Sequence, residues 1–243
     1  MGRRGPGRLS TSRHSGLPGR MPRALRAAAF LIVALVALTM AAPADAQSFR
    51  IARVQYGGGD WFGDDGALET LLRYTRLHTL LDVPEQSEVV TLLDDRLFGV
   101  SVLYMVGHGN VELTPPEATR LRRYLDAGGF LIANDDYGFD AALRREMAKV
   151  FPEQPFAELP YEHAIFGAHY TFSTGLPKIH EHDGKRPQAL GLTCEGGRLC
   201  VFYDVEADLG DGWNPEGVHN DPPEVRERAL QMGVNLLTYA LTR

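Results

Sequence analysis

The sequence has few cysteines and only one long apolar run, and both shortages restrict what it can encode. Its two cysteines, Cys194 and Cys200, are not spaced as a CxxC pair, so they offer no cysteine motif for a metal. The apolar run, residues 27–42, is shorter than the about 20 residues that a membrane-spanning helix needs. No internal repeat, heptad or low-complexity linker divides the chain. We therefore expect one soluble domain rather than a repeat array or a bundle of membrane helices.

The apolar run belongs to a predicted secretory signal peptide. A short basic segment, residues 21–26, precedes it, and Ala44, Asp45 and Ala46 follow it as a small-x-small cleavage signal. Basic, apolar and small-residue regions in this order are typical of secretory signal peptides. We predict that residues 1–46 are the signal peptide, that cleavage precedes Gln47, and that the protein is periplasmic or secreted. The alternative, an uncleaved anchor, is disfavoured by the short run, and the start codon is either Met1 or Met21.

Positive charge is scarce after residue 46. Residues 47–243 carry 18 basic and 30 acidic side chains, a net charge of −12, because seven arginines and one aspartate precede them. Binding to nucleic acids and to anionic membranes depends on basic patches. We therefore expect no nucleic-acid partner and no binding to anionic membranes. Because no second apolar run is long enough to cross a bilayer, we also expect no membrane span after signal cleavage. The remaining segment is long enough for one domain with its own core.

The two cysteines lie in a predicted hairpin, and the sequence leaves open whether they form a disulfide. An oxidising compartment permits the bond. A two-residue turn at Gly196 and Gly197 would place Cys194 opposite Leu199, so that the cysteines would be diagonal rather than facing. A bridge then requires a bulge or a wider loop, and without one we expect two small buried side chains.

Strand and helix signals alternate from residue 49 onward. Thr114, followed by two prolines and Glu117, is the strongest local signal and predicts a capped helix start. The predicted strands are 49–56, 88–93, 100–106, 130–133, 189–194 and 198–204, and the predicted helices are 67–81, 115–127, 139–150 and a last helix after residue 221. This order predicts an α/β fold, a flavodoxin-like doubly wound layer with a mainly parallel sheet.

Polar residues follow three of the predicted strands. In doubly wound folds, ligands bind beyond the carboxyl ends of the strands, so these residues are candidates for a site. The predicted ligand-binding residues are Asp60, Trp61, His108, Asn134, Asp135, Tyr137 and Trp213. The candidate catalytic residues are His108, Asp135, Asp136 and His163. The glycines before Asp60 match neither GxGxxG nor a phosphate loop, so we predict no nucleotide binding.

Several candidates also have a structural interpretation. Asp135 and Asp136 are adjacent on a strand end and point to opposite sides, so one is expected to cap the next helix while the other faces the crevice. Trp213 could form a lid over the crevice or fold over the edge of the sheet. His180, Glu181, His182 and Asp183 are metal-ligand residue types, but they lie in a Pro/Gly-rich segment. We interpret them as a solvated loop and predict no metal and no cofactor.

Several blocks in order resemble the DUF4159 family, exported or membrane-anchored bacterial domains of unknown function. The matching blocks are residues 56–61, 104–109, 121–131, 151–152, 163–166 and 233–241. The resemblance implies a class I glutamine-amidotransferase-like fold. Enzymes of that fold place a nucleophilic cysteine directly after a strand, with a histidine base further along. The equivalent segment here, residues 131–138, contains neither Cys nor Ser. Glutaminase activity is therefore not expected.

Three functions remain open from the sequence. The leading hypothesis is a non-catalytic module that binds a small polar ligand or an envelope protein, with aromatic residues for stacking and polar residues for hydrogen bonds. The alternative is a hydrolase in which Asp135 or Asp136 and His108 activate water, with or without a metal. The third is a purely structural partner domain. Convergence of His108, Asp135 and His163 in one crevice would favour a ligand site or an enzyme.

Overall fold

The computed structural model describes residues 1–2 and 49–242. Residues 3–46 of the predicted signal peptide and the cleavage site before Gln47 lie outside the described residues. Within the described part, no helix is both long and apolar enough to cross a membrane. The strands are β1 (Ile51–Val54), β2 (Glu88–Val90), β3 (Val102–His108), β4 (Phe130–Tyr137), β5 (Ala157–Glu158), β6 (Gln188–Thr193) and β7 (Leu199–Val205). The α-helices are α1 (Ala67–His78), α2 (Pro115–Asp126), α3 (Asp140–Val150), α4 (Leu209–Trp213) and α5 (Pro223–Thr242).

All seven of these strands form one sheet in the order β2-β1-β3-β4-β7-β6-β5. The five strands from β2 to β7 are parallel, whereas β6 and β5 run antiparallel at the end of the sheet. The parallel part has the flavodoxin-like order, in which the chain reverses direction across the sheet between β1 and β3. This confirms the predicted α/β fold with a mainly parallel sheet.

Helices cover both faces of the sheet because alternate strand residues point to opposite sides. On one face, Tyr104 and Ile132 pack against apolar residues of α1 and α5. On the other face, Leu103 and Leu131 pack against apolar residues of α2 and α3. The start of α2 has the predicted capping box between Thr114 and Glu117. The sheet is therefore buried on both sides, and its accessible polar groups are confined to its ends.

Strand β4 is four residues longer than the sequence predicted. The predicted end at Ala133 is wrong, because Asn134 and Asp135 stay in the ladder opposite Val106 and Gly107 of β3. A strand shielded on both faces is normally an apolar run, so the polar residues from Asn134 onward predict the end of the strand. Here the polar residues form the end of the strand itself, and their orientation is fixed by the pairing of β4 with β3.

Cys194 and Cys200 form a disulfide, with their Cα atoms 5.8 Å apart. The hairpin is wider than a two-residue turn, because the amide of Cys194 donates to the carbonyl of Arg198. The ladder also shifts register between Leu192 and Thr193, so that Thr193 pairs with Leu199. A wider loop or a bulge was the condition under which a disulfide was expected, and the hairpin has both a wider loop and an irregular register.

Candidate functional site

The first part of the site lies where β1 and β3 end, at the point where the strand order reverses. The ring Nδ1 of His108 lies 2.7 Å from Oδ2 of Asp60 and 3.2 Å from Oδ2 of Asp136. The backbone N–H of His108 also donates to Oδ1 of Asp60 at 2.8 Å. The His108 side chain is 54% exposed, and no described residue is a hydrogen-bond partner of its second ring nitrogen, Nε2. The histidine is thus fixed on one side and accessible on the other.

A glycine makes this close arrangement possible. A Cβ at Gly107 would lie 2.0 Å from the hydroxyl of Tyr56 and 3.0 Å from Oδ1 of Asp60. The Tyr56 hydroxyl donates to the carbonyl of Val106 at 2.8 Å and so ties the end of β1 to β3. Any larger residue at position 107 would push the Asp60 loop away from His108.

Asp135 and Asp136 have different roles, as their alternation on the strand predicts. Oδ1 of Asp135 accepts a hydrogen bond from the amide of Phe139 at 2.8 Å, next to the start of α3. Asp136 points to the other face and contacts His108. Asp135 therefore stabilises the turn after β4, and Asp136 is the one of the two that reaches the ring.

Burial and neighbouring carboxylates shift the proton affinity of this group. Burial raises the pKa of Asp136 to about 7, and the charges of Asp64 and Asp208 add to the effect. Burial alone would lower the pKa of His108, but the hydrogen bond to Asp60 and the charge of Asp136 outweigh it and raise that pKa. The Asp136 carboxyl therefore exchanges its proton near pH 7, and the imidazolium form of His108 is stabilised beside it, a combination that suits acid–base chemistry.

A second part of the site lies over the ends of β4 and β7. Nε2 of His182 lies 3.0 Å and Nδ1 of His180 lies 3.2 Å from the same oxygen, Oδ2 of Asp208. The side chain of Asp208 is 1% exposed and that of His182 is 10% exposed. Although burial alone would raise the pKa of Asp208, the hydrogen bonds from His180 and His182 lower it to about 2. Two imidazoles thus converge on one buried carboxylate.

More carboxylates surround His180. Its Nδ1 also lies 2.6 Å from Oδ2 of Asp211, and its Nε2 lies 3.1 Å from Oδ1 of Asp221. Oδ1 of Asp211 lies 3.1 Å from Nε2 of His219. Burial, together with the charges of Asp208 and Asp64, raises the pKa of Asp211 to about 10. This is a dense alternation of histidines and aspartates.

Asp64 connects the two parts of the site. Its Oδ2 accepts a hydrogen bond from the buried hydroxyl of Tyr104 at 2.6 Å, and its Oδ1 accepts one from the side-chain amide of Asn214 at 3.2 Å. Oxygens of Asp64, Asp136 and Asp211 lie within 4.8 Å of one another. Burial is the main cause that raises the pKa of Asp64. The carboxylates are therefore one electrostatic group and not two separate clusters.

The segment that carries Asp208 is held by the end of β4. The side chain of Asn134 accepts a hydrogen bond from the amide of Gly210 at 2.9 Å and donates to Oδ1 of Asp208 at 3.4 Å. A Cβ at Gly210 would lie 1.9 Å from Oδ2 of Asp64, so only glycine fits there. Asp64 and Asp208 themselves have φ angles of 56° and 55°. Left-handed non-glycine residues of this kind concentrate at functional sites.

The structure corrects two of the predicted site residues. Trp213 is fully buried, and its indole N–H donates to the carbonyl of Ala229, so it is a core residue and not a ligand-binding lid. His163 begins a short 3₁₀ turn, and its ring packs against Tyr239, which packs in turn on Phe130 at the amino end of β4. His163 therefore lies at the opposite end of the sheet from His108.

The interpretation of residues 180–183 as a solvated loop is also wrong for its two histidines. His180 and His182 turn inward because each pairs with a buried carboxylate. The exposed residues of this loop are Glu181 and Asp183, and Asp183 accepts a hydrogen bond from the exposed hydroxyl of Tyr137 at 3.3 Å. Tyr137 thus lies at the rim of the site.

The aspartates around His180 and His182 were not predicted as site residues. Asp64, Asp208, Asp211 and Asp221 lie in loops or short turns far apart in the chain, and no motif joins them. The one available signal was the His-x-His spacing at residues 180 and 182, because residues two apart in an extended segment point to the same side. The His-x-His spacing indicates a site only together with the carboxylates that other chain segments bring beside it.

The fold and the site together define a flavodoxin-like α/β protein with a histidine–aspartate site at the carboxyl ends of its parallel strands. Residues 50–241 match the model of the DUF4159 family, whose description is a domain of unknown function. The chain therefore belongs to the DUF4159 family. A comparison with curated proteins gave no match.

Proposed function

We propose that the protein is a hydrolase in which His108, oriented by Asp60 and Asp136, activates water. The observation that carries this proposal is the ring of His108, which is held by two carboxylates at Nδ1 and is open at Nε2. A carboxylate on one ring nitrogen fixes the tautomer and stabilises the imidazolium that forms when the other nitrogen takes a proton. The residues are those of the Asp/His hydrolase that the sequence left open, with Asp136 rather than Asp135 beside the ring.

In the proposed reaction, neutral His108 accepts a proton from a water molecule through Nε2 while the water oxygen attacks the substrate. Asp60 holds the proton on Nδ1, and the charge of Asp136 stabilises the protonated ring. The proton on Nε2 then passes to the leaving group, which returns the ring to its neutral form. The active neutral form of His108 accumulates as the pH rises. Because its neighbours raise the pKa of His108, this occurs at a higher pH than for an unperturbed histidine.

A groove lined by residues that follow Asp60 in the chain supports binding of a substrate. It has a volume of ≈ 820 Å³ and begins at Trp61 and Phe62, directly after Asp60 in the chain. The Phe62 side chain is 63% exposed, and Arg53 and Glu69 add polar groups to the same groove. An aromatic surface with a few polar groups is typical of sites for small polar molecules.

We also propose that the domain acts outside the cytoplasm, in the periplasm or as a secreted protein. The predicted signal peptide and the Cys194–Cys200 disulfide support this, because disulfides persist in oxidising compartments. The amidotransferase-like relationship remains part of the proposal. It is supported by the parallel strand order, while the absence of Cys and Ser from residues 131–138 argues against the chemistry of that class.

The test is hydrolysis of a panel of chromogenic esters, phosphoesters, glycosides and peptides by the purified protein. We expect turnover of one class, and a loss of about 10²–10⁴-fold in His108→Gln, the range attributed to general acid–base catalysis. His163→Asn is the matched control, because that histidine lies at the other end of the sheet, and it should retain activity. No turnover by the wild type, or full activity of His108→Gln, would contradict the proposal.

The groove also favours a second candidate, the non-catalytic binding module. In that case the Trp61–Phe62 surface would bind a sugar or a peptidoglycan fragment without chemistry. Thermal-shift screening against such ligands would show stabilisation that Phe62→Ala removes and His108→Gln leaves intact. Stabilisation by none of them, together with no hydrolysis, would favour a purely structural partner domain.

A further inference from the structure

We propose that His180, His182 and Asp208 form a binding site for one divalent transition-metal ion of the zinc type. The three donor atoms lie within 4.8 Å of one another. His180 and His182 come from the segment before β6, whereas Asp208 follows β7. The site is therefore assembled by the fold from two separate segments of the chain.

The spacing of the donor atoms fits the edge of a metal polyhedron. Ligand atoms about 2.0–2.2 Å from a metal lie about 3.0–3.5 Å from each other in tetrahedral or octahedral geometry. The distances from Oδ2 of Asp208 are 3.0 Å to Nε2 of His182 and 3.2 Å to Nδ1 of His180. An ion at the centre of the three atoms would satisfy both imidazoles and the shared oxygen together.

His180 also has the outer partner that metal-bound histidines usually have. Its Nδ1 faces Asp208, and its Nε2 lies 3.1 Å from Oδ1 of Asp221. Histidine ligands of metals commonly donate their other ring N–H to a carboxylate, which fixes the ring and increases its basicity. Asp211, 2.6 Å from the same Nδ1, provides a further carboxylate beside the ion.

The charge balance calls for a cation. Within the described chain, no lysine or arginine forms an ion pair with the side chain of Asp64, Asp136, Asp208, Asp211 or Asp221. The ion-pair partners of the last four are histidines, whereas Asp64 accepts hydrogen bonds from Tyr104 and Asn214. Buried carboxylates are unfavourable unless a cation or sufficient hydrogen bonds compensate them.

A separate observation points in the same direction. Asp204 at the end of β7 is fully buried, and neither of its oxygens has a hydrogen-bond partner of ordinary geometry among the described residues. A weak interaction with the backbone of Leu209 stabilises the charged form of Asp204 only in part. Asp204 pairs in register with Asn134, whose side chain contacts Asp208, so it lies on the same face as the proposed site. An unsatisfied buried carboxylate in this position fits a nearby positive charge.

The donor set selects the class of metal. Imidazole nitrogens suit zinc and its neighbours in the first transition row, whereas magnesium and calcium prefer oxygen ligands. Two histidines and one carboxylate also leave positions open for water or substrate. The site uses residues other than His108 and Asp60, so metal binding and hydrolysis can succeed or fail independently.

The test is metal binding by the purified chain after removal of bound ions with EDTA. Titration with Zn²⁺, followed by calorimetry and metal analysis, should give one tightly bound ion per chain, and Mg²⁺ should not compete. Asp208→Asn and His182→Ala should abolish retention of the ion. Asp221→Asn, which leaves the proposed ligands in place, should weaken Zn²⁺ binding by about 10–100-fold, the range for loss of an outer hydrogen bond. His163→Asn is the control and should bind as the wild type does.

Co²⁺ provides a measurement that does not depend on the folding of the variants. In the wild type, Co²⁺ should give the visible absorption of a four- or five-coordinate site with nitrogen and oxygen ligands, and Zn²⁺ should displace it. Zn²⁺ binding that is absent from the wild type, or that persists in folded Asp208→Asn and His182→Ala, would overturn the proposal. A Co²⁺ spectrum identical to that of the ion in buffer, or one that Zn²⁺ does not displace, would overturn it as well.

Discussion

The buried carboxylate of Asp135 should make the stability of the protein fall as the pH rises, and Asp135→Asn should remove that part of the fall. Asp135 is 6% exposed. Burial raises its pKa from 3.8 to about 6, even though the hydrogen bond from the amide of Phe139 lowers the pKa in part. Asparagine keeps an oxygen that can accept from Phe139, so the substitution removes the charge and leaves the turn after β4 intact.

The sign and the size follow from linkage between protonation and folding. Because the pKa in the folded protein is above that in the unfolded chain, the contribution of Asp135 is fully present below pH 3.8 and is lost as the pH rises through about 6. A difference of about two units between the pKa of Asp135 in the folded and in the unfolded protein corresponds to about 3 kcal/mol of unfolding free energy in total. Of this, about 1.4 kcal/mol is lost between pH 5 and pH 8, because part of the transition lies below pH 5.

The assay is urea unfolding of the purified chain at these two pH values in the presence of EDTA. The free energy of unfolding of the wild type should fall between pH 5 and pH 8 by about 1.4 kcal/mol more than that of Asp135→Asn. Asp126→Asn, which removes an exposed carboxylate at the end of α2, should behave as the wild type does. Parallel pH profiles for the wild type and Asp135→Asn would refute the reasoning.

Two further predictions concern stability. Replacing both Cys194 and Cys200 with serine should lower the free energy of unfolding by about 2 kcal/mol, because the disulfide closes only a short loop. Thermal melts with and without reductant measure this, and identical melting temperatures would contradict it. Trp213→Phe should destabilise the protein by about 1–3 kcal/mol through loss of core volume and of the hydrogen bond to Ala229. Chemical unfolding measures that effect, and an unchanged midpoint would show that the indole is not a core residue.

Local patterns were sufficient for most elements of the fold, although β5 and α4 were not among the predicted elements. The capping box at Thr114 and the alternation of strand and helix signals depend on neighbours in sequence, and both are present in the structure. The roles of Asp135 and Asp136 also followed from the two-residue period of a strand. By contrast, the end of β4 was predicted too early, because the pairing of Asn134 with β3 is a property of the neighbouring strand.

The sequence by itself determined the α/β class, the mainly parallel sheet and the placement of His108 and Asp60 at strand ends, because each depends on short-range periodicity and on turn residues. Only the tertiary structure decided that Trp213 is buried, that His163 lies at the far end of the sheet, and that Cys194 and Cys200 are bonded. It also decided that His180 and His182, in an apparently solvated loop, meet the buried Asp208, which lies 26 residues after His182. Pairings of this kind are fixed by which segments the fold brings together, and the spacing of residues along the chain does not carry that information.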